Sequence, residues 1–418
     1  MKKRFFLPVL LAALCACNAA VPTPTPTPAP AATPAVEAQP ADALTLEEKV
    51  GQLFIVRPDA LDLSLSQETI NDAKADGVTT VTNDMRRVLQ QYPVGGICQF
   101  GKNIESPSQL ARFNKELQDA SATPLFIAVD EEGGPIARLA NNDAFTLPRY
   151  ASAAAVGASG NPEDARAMGQ TIGAYLKEYG FTMDFAPDAD VNTNPDNPII
   201  GTRAFSSDAG TAAAMAAAMA DGLRQNGILP TLKHFPGHGD TETDSHLGLP
   251  VVEKSLAELK EEELLPFLTA IEQQVPAVMV AHILERGIDG EYPASLSHKV
   301  VTGLLREELG FQGVVCTDDL TMGAISQTYG MDEAAVLALE AGCDLLLVCH
   351  GADNLSSAYT GILSAVEEGR LTEARLDESL YRILTLKRTY HFTNDPVPAP
   401  DVDTLNAQIF SLLDQLPR

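Results

Sequence analysis

The stretch KHFPGHGDTETDSH, Lys233 to His246, gathers three histidines, two glycines and the acids Asp240, Glu242 and Asp244. Such residues suit either metal binding or proton transfer. The H-x3-H-x7-H spacing of His234, His238 and His246 runs through a Pro-Gly-His-Gly turn rather than along one helix face. The glycines and proline point to backbone shaping, and no metal is expected. Asp244 and His246, two apart in a loop, form an acid/base dyad in which the carboxylate fixes the ring's tautomer and favours its protonated form. In TDDL, Asp318 ends an apolar run and is a candidate nucleophile or base, while Asp319 alternates to the other side and supports the loop. In VDEEGGPIAR, Asp130 ends a run, Gly133 and Gly134 bend the chain back, and Arg138 returns over the same face. Helix capping is the alternative use of that acidic turn.

These groups need a scaffold that brings distant segments to one surface. Eight short apolar, β-branched runs occur at 53–56, 95–100, 124–130, 182–188, 231–237, 277–283, 313–319 and 344–350, with helical patterns between most of them. Strand and helix alternate as in a (β/α)8 barrel, an α/β fold in one catalytic domain over 44–392. Six runs end at or near Asp130, Asp184, Lys233 and His234, His282, Asp318 and His350, where barrel enzymes keep their chemistry. Thr45 and Glu48 form a capping box at the start of the domain.

Together the motifs resemble glycoside hydrolase family 3, in its β-N-acetylglucosaminidase branch, over Leu44 to Arg388. KHFPGHGDTETDSHLGLP is the longest match, supported in order by AVDEEGGPIARL, DFAPDADV, IGTRAF, AHI and GVVCTDDLTMGAI. The resemblance implies that Asp318 is the nucleophile, His246 the general acid/base and Asp244 its orienting partner. It implies that Asp130, Arg138, Arg203, Lys233 and His234 grip a terminal N-acetylglucosamine, with His238 shaping the turn and no cofactor required. Pro135 and the polar APDADV depart from the family pattern, the latter leaving the role of Asp188 open.

The implied reaction is retaining hydrolysis through a glycosyl-Asp intermediate, with a histidine in place of the usual acid carboxylate. Attack by the substrate's own acetamido group is the mechanistic rival. A family 3 β-glucosidase is a second reading, although such members draw their acid/base from another domain. A phosphorylase and a non-catalytic sugar-binding lipoprotein complete the alternatives.

Lys and Arg number 29 against 56 Asp and Glu, a net charge of -27, so nucleic acid is an unsuitable partner. With no tryptophan and 6% aromatics, a sugar must be held by charged and polar groups. Residues 1–17 read as an export signal, with basic Lys2, Lys3 and Arg4 before a short apolar run. LCAC resembles a lipobox, which makes Cys17 the lipidated residue and anchors the protein at the outer face of the cell membrane. Ordinary cleavage and secretion is the alternative. Residues 18–43 are a Pro/Thr/Ala-rich linker, reaching about 60 Å over the twenty residues 21–40 if extended. Residues 393–418 add one further helix. The sequence is silent on oligomeric state.

Overall fold

Every one of the eight apolar runs supplies a strand to a single closed, parallel barrel. The strands are β1 (Phe54–Val56), β2 (Gly96–Gln99), β3 (Phe126–Val129), β4 (Met183–Asp184), β5 (Leu229–Phe235), β6 (Ala277–Val280), β7 (Val314–Asp319) and β8 (Leu345–Val348). They follow one another around the ring. β1 closes it by pairing with β8, Phe54 opposite Leu346, and with β2, Ile55 opposite Gly96. The computed structural model describes residues 44–72 and 74–392. The signal sequence, Cys17, the linker and the C-terminal helix expected from the sequence lie outside the described residues.

A parallel strand covered on both faces reads as a continuous apolar run, and this one-dimensional signal is why the barrel was legible. Within the eight strands only Asp318 is less than fully buried. Helices cover the outside. The Thr45–Glu48 capping box starts Leu46–Gly51. The alanine-rich stretch AGTAAAMAAAMADGLRQ forms the helix Ala209–Gln225, packed on Pro162–Glu178. The pattern from Ser255 to Gln274 forms two helices, Leu256–Glu261 and Leu265–Glu272. Pro266, lacking an N–H, fits only the first turn of the second, so the chain breaks before it. Cys98, Cys316, Cys343 and Cys349 are free and buried. Among the described residues no helix is long and apolar enough to cross a membrane.

Two small sheets at the strand ends matter for the site. Glu131–Gly133 pairs antiparallel with Ile136–Ala137. Gly133 and Gly134 take φ of 80° and 68°, and a Cβ on Gly134 would meet the Ser152 backbone at 2.6 Å, so this tight return needs glycine. Val251–Ser255 pairs with Leu284–Gly287 and receives the chain leaving the His246 loop.

At the edge of that second sheet Glu285 is buried, and neither carboxylate oxygen has a hydrogen-bond partner among the described residues. Burial, then the charges of Glu263 and Asp240, pushes its pKa up to about 8, with Lys254 working in the opposite direction. An acid whose folded pKa lies above its unfolded value holds its proton longer in the folded state. Stability therefore falls as pH rises from about 4.5 to about 8 and then levels. Glu285→Met is expected to raise the Tm, by more at pH 8.5 than at pH 5, in scanning calorimetry. An equal gain at both would assign the cost to desolvation of the neutral acid alone.

Candidate active site

The strand ends open on one pocket, walled by residues from β2, β5, β6, β7 and β8 and from the loops that follow β3 and β5. Asp130, Arg138, Arg203, Lys233, His234, His246 and Asp318 all line it, so side chains more than 180 positions apart in sequence share one cavity. Asp244 stands behind His246.

At the pocket floor the charges interlock. Lys233, on β5, places Nζ 2.7 Å from Asp130 Oδ1 and 2.6 Å from Glu132 Oε1. Arg203, at the end of the turn Gly201–Arg203, forks onto Glu132, with Nε at 2.9 Å from Oε2 and Nη2 at 2.7 Å from Oε1. Arg138 returns from the hairpin to 3.5 Å from Asp130 Oδ2. Burial disfavours every one of these charges, yet opposite neighbours prevail. Asp130 and Glu132 are held below the usual carboxylate range by Lys233 with Arg138 or Arg203, and Lys233 is raised in turn by Asp130 and Glu132. Such a cluster fixes donors and acceptors without relying on water. Lys233→Met removes the cation shared by Asp130 and Glu132 and leaves Asp130 with only the longer Arg138 contact; it should cost about 3–5 kcal/mol of stability in urea unfolding, the range for breaking a buried pair.

His234 faces the pocket with Nδ1 2.7 Å from Asp190 Oδ2 and Nε2 3.4 Å from Arg203 Nη2. Burial and the Arg203 cation hold its pKa down at about 4, so the ring is neutral at pH 7, donating from Nδ1 to Asp190 and accepting from Arg203 at Nε2. Asp188, whose role the sequence left open, is buried with Oδ2 3.6 Å from Arg203, and burial with the nearby Asp190 raises its pKa to about 7. Asp188, Asp190 and His234 present ligand atoms within 4.8 Å of one another, a set of hard and imidazole donors able to hold a metal ion. An ion there would have to displace the His234–Asp190 hydrogen bond.

His238 also borders the pocket, but both of its ring nitrogens are engaged within the turn. Its N–H donates to Asp190 Oδ1 at 2.6 Å, Nδ1 meets Thr241 Oγ1 at 2.6 Å, and Nε2 meets Ser245 Oγ at 3.2 Å. It pins both ends of the loop that carries the dyad. On that loop Asp244 Oδ1 accepts from the His246 backbone N–H at 2.8 Å and faces His246 Nδ1 at 2.9 Å. Partial burial opposes ionisation of Asp244, but these two contacts hold its pKa below normal. Nδ1–H is thereby directed at Asp244, and Nε2 stands clear of that contact. The His246 side chain is 66% exposed.

Asp318 and Asp319 both border the pocket, but their carboxylates are held differently. Asp318 turns to the pocket, its Oδ1 accepting the Asp319 N–H at 2.8 Å. Asp319 accepts from Thr321 and from the Cys349 N–H, and meets His350 Nδ1 at 2.7 Å. His282 accepts no role in the pocket wall; it spans Ser295 Oγ and the Asp319 carbonyl. Asp184 is buried and accepts the Glu131 N–H.

The glycosyl hydrolase family 3 N terminal domain matches residues 45–386. The chain belongs to glycosyl hydrolase family 3. Among family 3 relatives, "Beta-hexosaminidase LpqI" of Mycobacterium tuberculosis is 37% identical over 314 residues, 73% of this chain and 78% of that protein. "Beta-hexosaminidase A" of Pseudoalteromonas piscicida is 33% identical over 77% of this chain, which spans 58% of that longer protein. A solved family 3 β-N-acetylglucosaminidase from Paenibacillus sp. str. FPU-7 superposes with a TM-score of 0.77 at 38% identity, covering 88% of this chain and 69% of that one.

Three residues of this family 3 site escaped the sequence reading. Glu132, the hub between Lys233 and Arg203, lies two after Asp130 and so on the same strand face, a signal that was available in VDEE. Asp190 left no local signal, because its partner His234 lies 44 positions away, and Ser245 gave none although its partner His238 is only seven residues earlier in the same loop.

Proposed function

We propose that this family 3 chain is a retaining exo-β-N-acetylglucosaminidase acting on exposed N-acetylglucosamine in cell-wall or related glycans. The observation that carries the reading is the convergence of Asp318, His246 and the Asp130–Lys233–Glu132–Arg203 cluster on one pocket. The printed names of the relatives, β-hexosaminidase and β-N-acetylglucosaminidase, support the hexosamine preference.

In this mechanism the ion cluster and His234 hold the hydroxyls of the terminal sugar. His246 Nε2 protonates the glycosidic oxygen as the Asp318 carboxylate attacks the anomeric carbon. The neutral ring then takes a proton from water, which cleaves the glycosyl ester with net retention. Asp244 stabilises the imidazolium in each cycle. Export and lipidation at Cys17 would place this activity at the outer face of the membrane, with the linker extending its reach.

The decisive comparison is hydrolysis of p-nitrophenyl N-acetylglucosaminide and p-nitrophenyl glucoside. Faster turnover of the glucoside would transfer the chain to the β-glucosidase reading. Added phosphate yielding a sugar 1-phosphate as the main product would make it a phosphorylase.

A further inference from the structure

The exposed loop bearing His246 is tied to the segment that directly follows the Asp318 strand. Gln327 Nε2 donates to the Leu247 carbonyl at 3.0 Å, and the Ala324 N–H donates to the Ser245 carbonyl at 3.1 Å. Between them Gly323 packs so closely that a Cβ would stand 2.5 Å from the His246 carbonyl oxygen. Residues 245, 246 and 247 are thus each met, in order, by 324, 323 and 327. On the opposite side the only side-chain hold on this stretch among the described residues is His238 on Ser245, together with Asp244 on His246.

We propose that Gln327, with the bare backbone at Gly323, is a positioning latch that sets His246 against the nucleophile. Because the latch grows from the loop after β7, Asp318 and His246 are referenced to the same short piece of chain although they lie on different loops. Gln327 touches neither the pocket nor the ion cluster, so it acts through His246 and leaves the sugar grip alone. This rests on the proposed acid/base role of His246.

The test separates the two claims by leaving group. Loss of a correctly placed general acid slows glycosides with basic leaving groups and spares those, such as 2,4-dinitrophenyl, that depart without protonation. Gln327→Met keeps the shape and removes the donor. It is expected to lower kcat/KM about fivefold for a methylumbelliferyl or disaccharide N-acetylglucosaminide and to leave the dinitrophenyl glycoside within twofold; Gln327→Lys, which restores an N–H donor, should recover most of the loss. Gly323→Ala, pushing on the His246 carbonyl, should show the same selectivity with a larger effect. His246→Ala runs alongside as reference. Equal loss on both substrates in Gln327→Met, or no loss on either, overturns the latch while His246→Ala still shows the leaving-group contrast. If His246→Ala itself lacks that contrast, it is the acid/base assignment that fails.

Discussion

Asp318→Ala is expected to abolish turnover, with kcat falling on the order of 10⁴-fold or more, as when a covalent nucleophile is removed from a site that otherwise still binds. The folded state should be unaffected. Asp318 is the one residue of the barrel strands that is not fully buried, and the network behind it belongs to Asp319, Thr321 and His350. Binding of N-acetylglucosamine should persist as well, since among the described residues the Lys233 and Arg203 cluster makes no bond to Asp318's carboxylate and its own pairs remain intact. The covalent step has its own readout. A 5-fluoro N-acetylglucosaminyl inhibitor should add one sugar mass to a peptide containing Asp318. Inactivation without that label would assign the attack to the substrate's acetamido oxygen, with Asp318 and its neighbour orienting it.

His246→Ala should reduce kcat for p-nitrophenyl N-acetylglucosaminide by about 10²–10⁴-fold, the contribution of one placed acid/base group. The ring is two-thirds exposed and among the described residues bonds only to Asp244 in its own loop, so its removal should leave the melting temperature within about 1 °C, given that roughly 1 kcal/mol moves a domain of 150–250 residues by 2–4 °C. Steady-state kinetics with a parallel thermal melt checks both halves. A variant that keeps wild-type turnover removes His246 from the mechanism, whatever its geometry.

The barrel could be read from the chain because its strands are continuous apolar runs that stop at polar residues, a local pattern that needs no partner to be seen. The positions of Asp130, Lys233, His234 and Asp318 at strand ends follow from the same pattern. Arg203 carries no such mark. It lies on a short turn, and its value comes from Glu132, 71 positions earlier, which the fold alone brings to it. His282 and Asp184 show the converse: both end apolar runs and look like site residues, but His282 is held by Ser295 and the Asp319 carbonyl, and Asp184 is buried on the Glu131 N–H through Oδ1. Strand-end position therefore says where a side chain begins, and only its partners say whether it reaches the pocket.

At the pocket floor Lys233, Arg203 and Arg138 share Asp130 and Glu132, and Asp318 brings a third carboxylate to the same pocket. A neutral sugar can take hydrogen bonds from these cations without leaving any charge unmatched, so its affinity should be nearly flat with ionic strength. An anionic sugar must first break one of the pairs, and it approaches a chain whose net charge is -27. Salt should ease that approach by screening while doing nothing to the pairs inside. Charge filters what arrives at the surface, and hydroxyl geometry filters what stays.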